Sequence, residues 1–151
     1  MHCSPETVDK IAIFGPPRSG TSWLGHIFNS HPHVVFRFQP LFSYGHKGAL
    51  SAVSNEGEIA QFFHDILHSK DAYACMQTES QKMYPRFRKG NHPTHIAFKE
   101  TRYLNVVENI LVVTQDVRVV GILRNPLATL ASWVRAPKEF APAWFFEEEW
   151  R

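Results

Sequence analysis

Apolar residues fall in two patterns along this chain: short continuous runs, and longer stretches with the spacing of a helix face. IAIF at 11–14 is a run of four closed by Gly15 and two prolines, as a strand buried on both faces ends at a loop. From Thr21 onward Leu24, Ile27, Phe28 and His31 recur at helical spacing, and Pro32 stops that helix. HVVFRF at 33–38 is β-branched and aromatic, which predicts a second strand ended by Gln39 and Pro40. The stretch 41–54, LFSYGHKGALSAVS, has no period and is expected to be an irregular functional loop. Asn55 and Glu58 have the spacing of a capping box, and Ile59, Phe62, Phe63, Ile66 and Leu67 mark one face of the helix behind it. Residues 70–94 are polar, basic and broken by Pro85, Gly90 and Pro93, so they read as an exposed connection. HIAFKE then predicts a strand, LNVVENILVV a helix and VRVVGILR a strand ending at Arg124. Asn125 as cap and Pro126 at the first helical position open a helix through Leu127, Leu130 and Val134. Strand and helix alternate throughout, which predicts an α/β fold with a central parallel sheet covered by helices.

Composition narrows this. A chain of 151 residues, 44% hydrophobic, supports one core, so a single domain over 1–151 is expected. FAPAWFFEEEW at 140–150 crowds Trp144, Phe145, Phe146 and Trp150 where nothing further along the chain covers them, and the expectation is the N-terminal part of a longer domain. A net charge of +2, from 16 basic and 14 acidic residues, is not the footprint of a nucleic-acid binder. Cys3 and Cys75 make no disulfide framework and no CxxC, and the nine histidines show no ligand spacing, so no metal is expected. With no apolar run long enough to span a membrane and no signal-peptide pattern, the expectation is a cytoplasmic chain.

The chemistry concentrates at Gly15–Trp23, GPPRSGTSW. A nucleotide-binding P-loop, GxxxxGK[ST], has a lysine after its second glycine. Here Gly15 and Gly20 keep the glycine spacing and Ser22 the hydroxyl, but Thr21 takes the lysine's place and the cation sits at Arg18. A glycine turn between strand and helix still aims backbone amides and the helix dipole at one anion. The other strands end in Lys99-Glu100 and in Arg124, not in the aspartate of a magnesium-nucleotide site. In ILRNPLATLASW, Arg124 and Ser132 stand eight apart around Pro126. A strand-end guanidinium and a hydroxyl on the next helix can reach one phosphate dianion.

These two motifs, each behind a strand, resemble those of sulfotransferases that use 3′-phosphoadenosine 5′-phosphosulfate, PAPS, over about residues 11–135. The resemblance implies a P-loop-like three-layer fold and PAPS as co-substrate. It implies that Arg18, Ser19, Gly20, Thr21 and Ser22 hold the 5′-phosphosulfate, and that Arg124 and Ser132 hold the 3′-phosphate. Trp23 matches the tryptophan that lies against adenine, with core packing in the first helix as the alternative. Arg18 and Lys99 are expected to stabilise the leaving phosphate.

Two departures stand beside the resemblance. No basic, glycine-containing loop that would close over adenosine follows the second motif. The family's bases are a histidine two residues after the strand-end lysine, where Arg102 follows Lys99 at distance three and Thr101 at two, or a glutamate before a proline, where this chain has Gln39 before Pro40. Glu100, beside Lys99 and expected to face the loop, is therefore the candidate base. The acceptor is expected to be a small molecule or a carbohydrate, the latter suggested by Arg18 and the KETR stretch. The rivals are a P-loop kinase or nucleotidase, disfavoured by Thr21, and a non-catalytic protein that binds the nucleotide or a sulfated glycan.

Overall fold

The computed structural model describes residues 8–136; Cys3 and the aromatic stretch 140–150 lie outside them. Four strands, β1 (Asp9–Phe14), β2 (Val34–Phe38), β3 (His95–Glu100) and β4 (Val117–Gly121), form one parallel sheet in the order β2-β3-β1-β4. Helices α1 (Thr21–Ser30), α2 (Glu56–Leu67), α3 (Val107–Val113) and α4 (Pro126–Val134) connect and cover them. This is the α/β fold with a helix-covered parallel sheet that the alternation predicts, and it is consistent with the P-loop-like three-layer fold that the resemblance implies.

The continuous apolar runs follow from burial on both faces. Ala12, Phe14, Ile96 and Phe98 point one way, into a core with Ile59, Phe62, Phe63 and Ile66 of α2 and Ile110 of α3. Ile11, Ile13, Ala97, Phe36 and Phe38 point the other way, against Leu24 and Phe28 of α1. The register pairs Ile13 with Lys99 and Phe14 with Glu100, so the C-terminal ends of β1 and β3 are flush. That edge is where open α/β sheets bind ligands.

α2 starts as its sequence predicts. The Asn55 side chain accepts from the Glu58 amide at 3.0 Å, and the Glu58 carboxylate accepts from the Asn55 amide at 2.9 Å. Three expectations need correction. In α1 the buried positions are Thr21, Gly25 and Asn29, while Ile27 is exposed, because small residues let this helix approach the sheet closely. β4 ends at Gly121, three residues before Arg124, and its partner β1 is met once more through the Ile122 amide on the Phe14 carbonyl at 2.9 Å.

Residues 70–94 are not simply an exposed connection. Ala74 and Gln81 are buried, and Tyr73, Met76 and Tyr84 pack on the α1-side core. The Phe38 amide donates to the Ala74 carbonyl at 2.8 Å, and Lys89 donates through Nζ to the carbonyls of Asn29 and His31 at the end of α1 and of Val34 at the start of β2. A segment can read as polar and still be tied down when its anchors are backbone bonds and a helix-capping cation.

Candidate functional site

The loop from β1 to α1 and the loop from β4 to α4 are in direct contact. A Cβ at Gly15 would lie 2.5 Å from the Ile122 carbonyl oxygen, so only glycine permits the two loops to touch. Gly20 has φ 108°, the second position where glycine is required. Between them Arg18 takes φ 66°, a left-handed conformation that costs a side-chain-bearing residue about 1–2 kcal/mol. Contacts across the two loops hold it there. Arg124 donates through Nη1 to the Arg18 carbonyl at 3.1 Å, and Arg18 donates through Nε to the Ser132 hydroxyl at 3.2 Å. The two sequence motifs therefore form one unit.

α1 begins with no side-chain cap and no acidic residue in its first turn. Its leading amides, which no intrahelical bond satisfies, face the loop with the positive end of the helix dipole. The Ser19 hydroxyl is buried there without a hydrogen-bond partner. Lys99 comes to the same place from β3. It is 3% exposed, its Nζ sits 3.9 Å from the centroid of the Phe38 ring, and that Nζ makes no hydrogen bond among the described residues. Burial lowers its pKa to about 8, with Glu100 partly opposing the shift.

Arg18, Ser22, Gln39, Lys99, Arg102 and Trp133 are in the wall of one cavity of about 430 Å³. On the other side of Arg18 a second cavity of about 440 Å³ is lined by Arg124, Ser132 and Arg135. The structure thus brings Arg18, Thr21, Ser22 and Lys99 together at the first, and Arg18, Arg124 and Ser132 at the second. An uncapped helix start, an orphaned hydroxyl and an unpaired buried ammonium fit a phosphosulfate or phosphate with an adjacent second phosphate.

Trp23 is 68% exposed on α1, which removes core packing as its explanation. Glu100 does not face the loop. Alternation along β3 sends it to the opposite side of the sheet from Lys99, where it is 0% exposed and its Oε1 accepts from the Leu41 amide at 2.8 Å. Burial raises its pKa to about 7, and it is not in the wall of the Arg18–Lys99 cavity. Among the described residues that wall contains no carboxylate and no imidazole.

Gln39 is in the wall, at φ 43° and ψ 57°, a conformation doubly unfavourable for a non-glycine residue before proline. Its Nε2 donates to the Thr101 hydroxyl at 2.6 Å and its Oε1 accepts from the Tyr73 hydroxyl at 2.9 Å. Sequence reasoning did not find Tyr84, Arg102 or Trp133 as lining residues. Trp133 adjoins Ser132 and was in principle reachable; Tyr84 arrives from residues 70–94, which carry no local signal for it. Among the described residues no cluster of three or more His, Cys, Asp or Glu is placed to hold a metal ion.

The model of the "Sulfotransferase family" matches residues 10–149, nearly the whole sequence. The chain belongs to the sulfotransferase family. No curated protein and no solved structure gives a significant match. Membership makes this a transferase for sulfuryl groups in the general sense and agrees with the parallel α/β sheet. No helix among the described residues of this sulfotransferase-family chain is long and apolar enough to cross a membrane.

Proposed function

We propose that this chain carries a PAPS site and transfers its sulfuryl group to a hydroxyl or amine of a small-molecule or carbohydrate acceptor. The observation that carries the proposal is Lys99, a buried ammonium with no hydrogen-bond partner among the described residues, in one cavity with Arg18 beside the uncapped start of α1. A buried cation whose charge Glu100 only partly offsets is costly, and a sulfated phosphate entering the cavity would supply a direct partner. PAPS would bring an activated sulfuryl group on its 5′-phosphate.

In this reading the acceptor oxygen or nitrogen forms a bond to sulfur as the bond from sulfur to the bridging phosphate oxygen breaks, and the acceptor's proton passes to solvent. Arg18, Lys99 and the amides of Ser19–Ser22 hold the negative charge that gathers on the departing phosphate. Arg124 and Ser132 hold the 3′-phosphate, and the exposed ring of Trp23 offers a face to the adenine. Glu100 has a supporting part: through the Leu41 amide it fixes the turn Pro40–Phe42 that follows Gln39.

Transfer of labelled sulfate from PAPS to a panel of hydroxyl and amine acceptors tests the proposal, with Lys99→Ala as the matched variant. Turnover that Lys99→Ala lowers at least about a hundredfold supports it; turnover that the variant leaves intact contradicts it. Among the described residues the cavity wall has no carboxylate or imidazole, which favours one second reading, a protein that binds the nucleotide or a sulfated glycan without transfer. Single-turnover transfer at stoichiometric enzyme separates the two.

A further inference from the structure

Nine histidines are spread along the chain, and one pair of them, His64 and His68, stands four residues apart along a helix. Both are exposed at the last turn of α2, on the side away from the buried Ile59, Phe62, Phe63 and Ile66. His68 is the C-cap residue, but its amide still donates to the His64 carbonyl at 3.3 Å. The helical turn that sets one side chain above the other is therefore complete. The two ring centroids are 4.5 Å apart. Neither residue is in the wall of the Arg18–Lys99 cavity or of the Arg124–Ser132 cavity.

The partners of the ring nitrogens decide what this pair can do. His68 has Nδ1 at 2.9 Å from the His64 carbonyl oxygen, which can only accept. In the neutral ring the proton therefore sits on Nδ1, and Nε2 carries a lone pair. His64 has Nδ1 at 3.5 Å from Asp65 Oδ1, again an acceptor, and Gln61 steadies that oxygen by donating to it through Nε2 at 2.7 Å. A carbonyl on one Nδ1 and a carboxylate on the other are the partners that orient metal-ligating imidazoles. The separation of the rings fits too. Ion-to-nitrogen distances of about 2.0–2.1 Å, with angles of about 90–110° at the ion, put two ring centres roughly 4.5–5 Å apart. His31 and His33 are set the other way. His31 accepts through Nδ1 from the His33 amide at 3.3 Å, which leaves the proton on Nε2, and their centroids are 5.8 Å apart.

We infer that His64 and His68 form a surface site for one zinc, nickel or copper(II) ion, each giving it Nε2. An all-imidazole pair selects these ions over magnesium and calcium, which take oxygen ligands. Two protein ligands leave the other positions on the ion to water or to an outside donor, so the site is open and exchangeable, unlike a four-ligand structural centre. It is independent of the transfer reading above.

Thermal unfolding of the whole chain in NiCl2, ZnCl2 or MgCl2 tests this, because an ion bound to a geometry that only the fold provides stabilises the fold, whereas ligands equally available in the unfolded chain do not. Expected is a rise in the midpoint of about 3 °C or more at saturating nickel or zinc, none with magnesium, and loss of most of the rise in His64→Gln and in His68→Gln. Carbethoxylation by diethyl pyrocarbonate, mapped by mass spectrometry, gives a readout that needs no variant. Nickel should slow modification of both His64 and His68. No rise with nickel or zinc, an equal rise with magnesium, a rise that both variants keep, or His64 and His68 modified as fast with nickel as without it overturns the inference.

Discussion

Lys99 and Glu100 are neighbours in sequence and opposites in structure. Lys99 has its pKa lowered to about 8 by burial, so it is charged below that pH and neutral above it, and an anionic ligand favours the charged form. Affinity for adenosine 3′,5′-bisphosphate should therefore fall as pH rises from 7 through about 8 to 9.5, by about tenfold or more. Titration calorimetry across that range checks it, and Lys99→Met should flatten the profile while Arg18 and Arg124 sustain weaker binding. Glu100 has its pKa raised from 4.5 to about 7. The folded chain then holds that proton more tightly than the unfolded chain, so its contribution to stability is complete below about 4.5 and is lost as pH rises through about 7. Denaturant unfolding at pH 5 and pH 8 should show a loss on the order of 2 kcal/mol that Glu100→Gln largely removes, with bisphosphate affinity unchanged. A steep loss of bisphosphate affinity in Glu100→Gln would return Glu100 to the site. HIAFKE showed that a strand ends in two charges, and strand alternation assigns them to opposite faces; a run apolar on both faces gives no sign of which face meets the ligand.

The loops after β1 and β4 act as one element. Arg124 donates to the Arg18 carbonyl and Arg18 to the Ser132 hydroxyl, so the proposed 3′-phosphate residues also hold the strained P-loop arginine. Arg124→Ala should weaken adenosine 3′,5′-bisphosphate by on the order of 2 kcal/mol and adenosine 5′-phosphate by less, the smaller loss reporting the freed Arg18 backbone. Equal losses would remove the 3′-phosphate assignment. Much at this scale was legible. The glycine spacing in GPPRSGTSW, the Asn55 capping box and Asn125-Pro126 are local signals, set by φ, caps and missing donors within a few residues. The role of residues 70–94 was not legible, because their anchors are backbone bonds to Phe38 and a lysine on the end of α1, which no composition reveals. Arg102 and Tyr84 reach the cavity for the same reason, by tertiary placement rather than by motif.

On the scale of the whole molecule, a chain with a net charge of only +2 gathers Arg18, Lys99, Arg102, Arg124 and Arg135 around two adjoining cavities whose walls, among the described residues, carry no acid. The parallel sheet produces this convergence, since all of its strands deliver their C-terminal ends to one edge. We propose that this edge takes a nucleotide with phosphates at two separate positions rather than a magnesium-bound triphosphate. Calorimetric titration of the chain with adenosine 3′,5′-bisphosphate, set against ATP with magnesium at the same pH and ionic strength, tests it most directly. The expected result is binding of the bisphosphate at least about tenfold tighter than magnesium-ATP, as one extra charge-assisted phosphate contact provides. Equal or tighter binding of magnesium-ATP would contradict it.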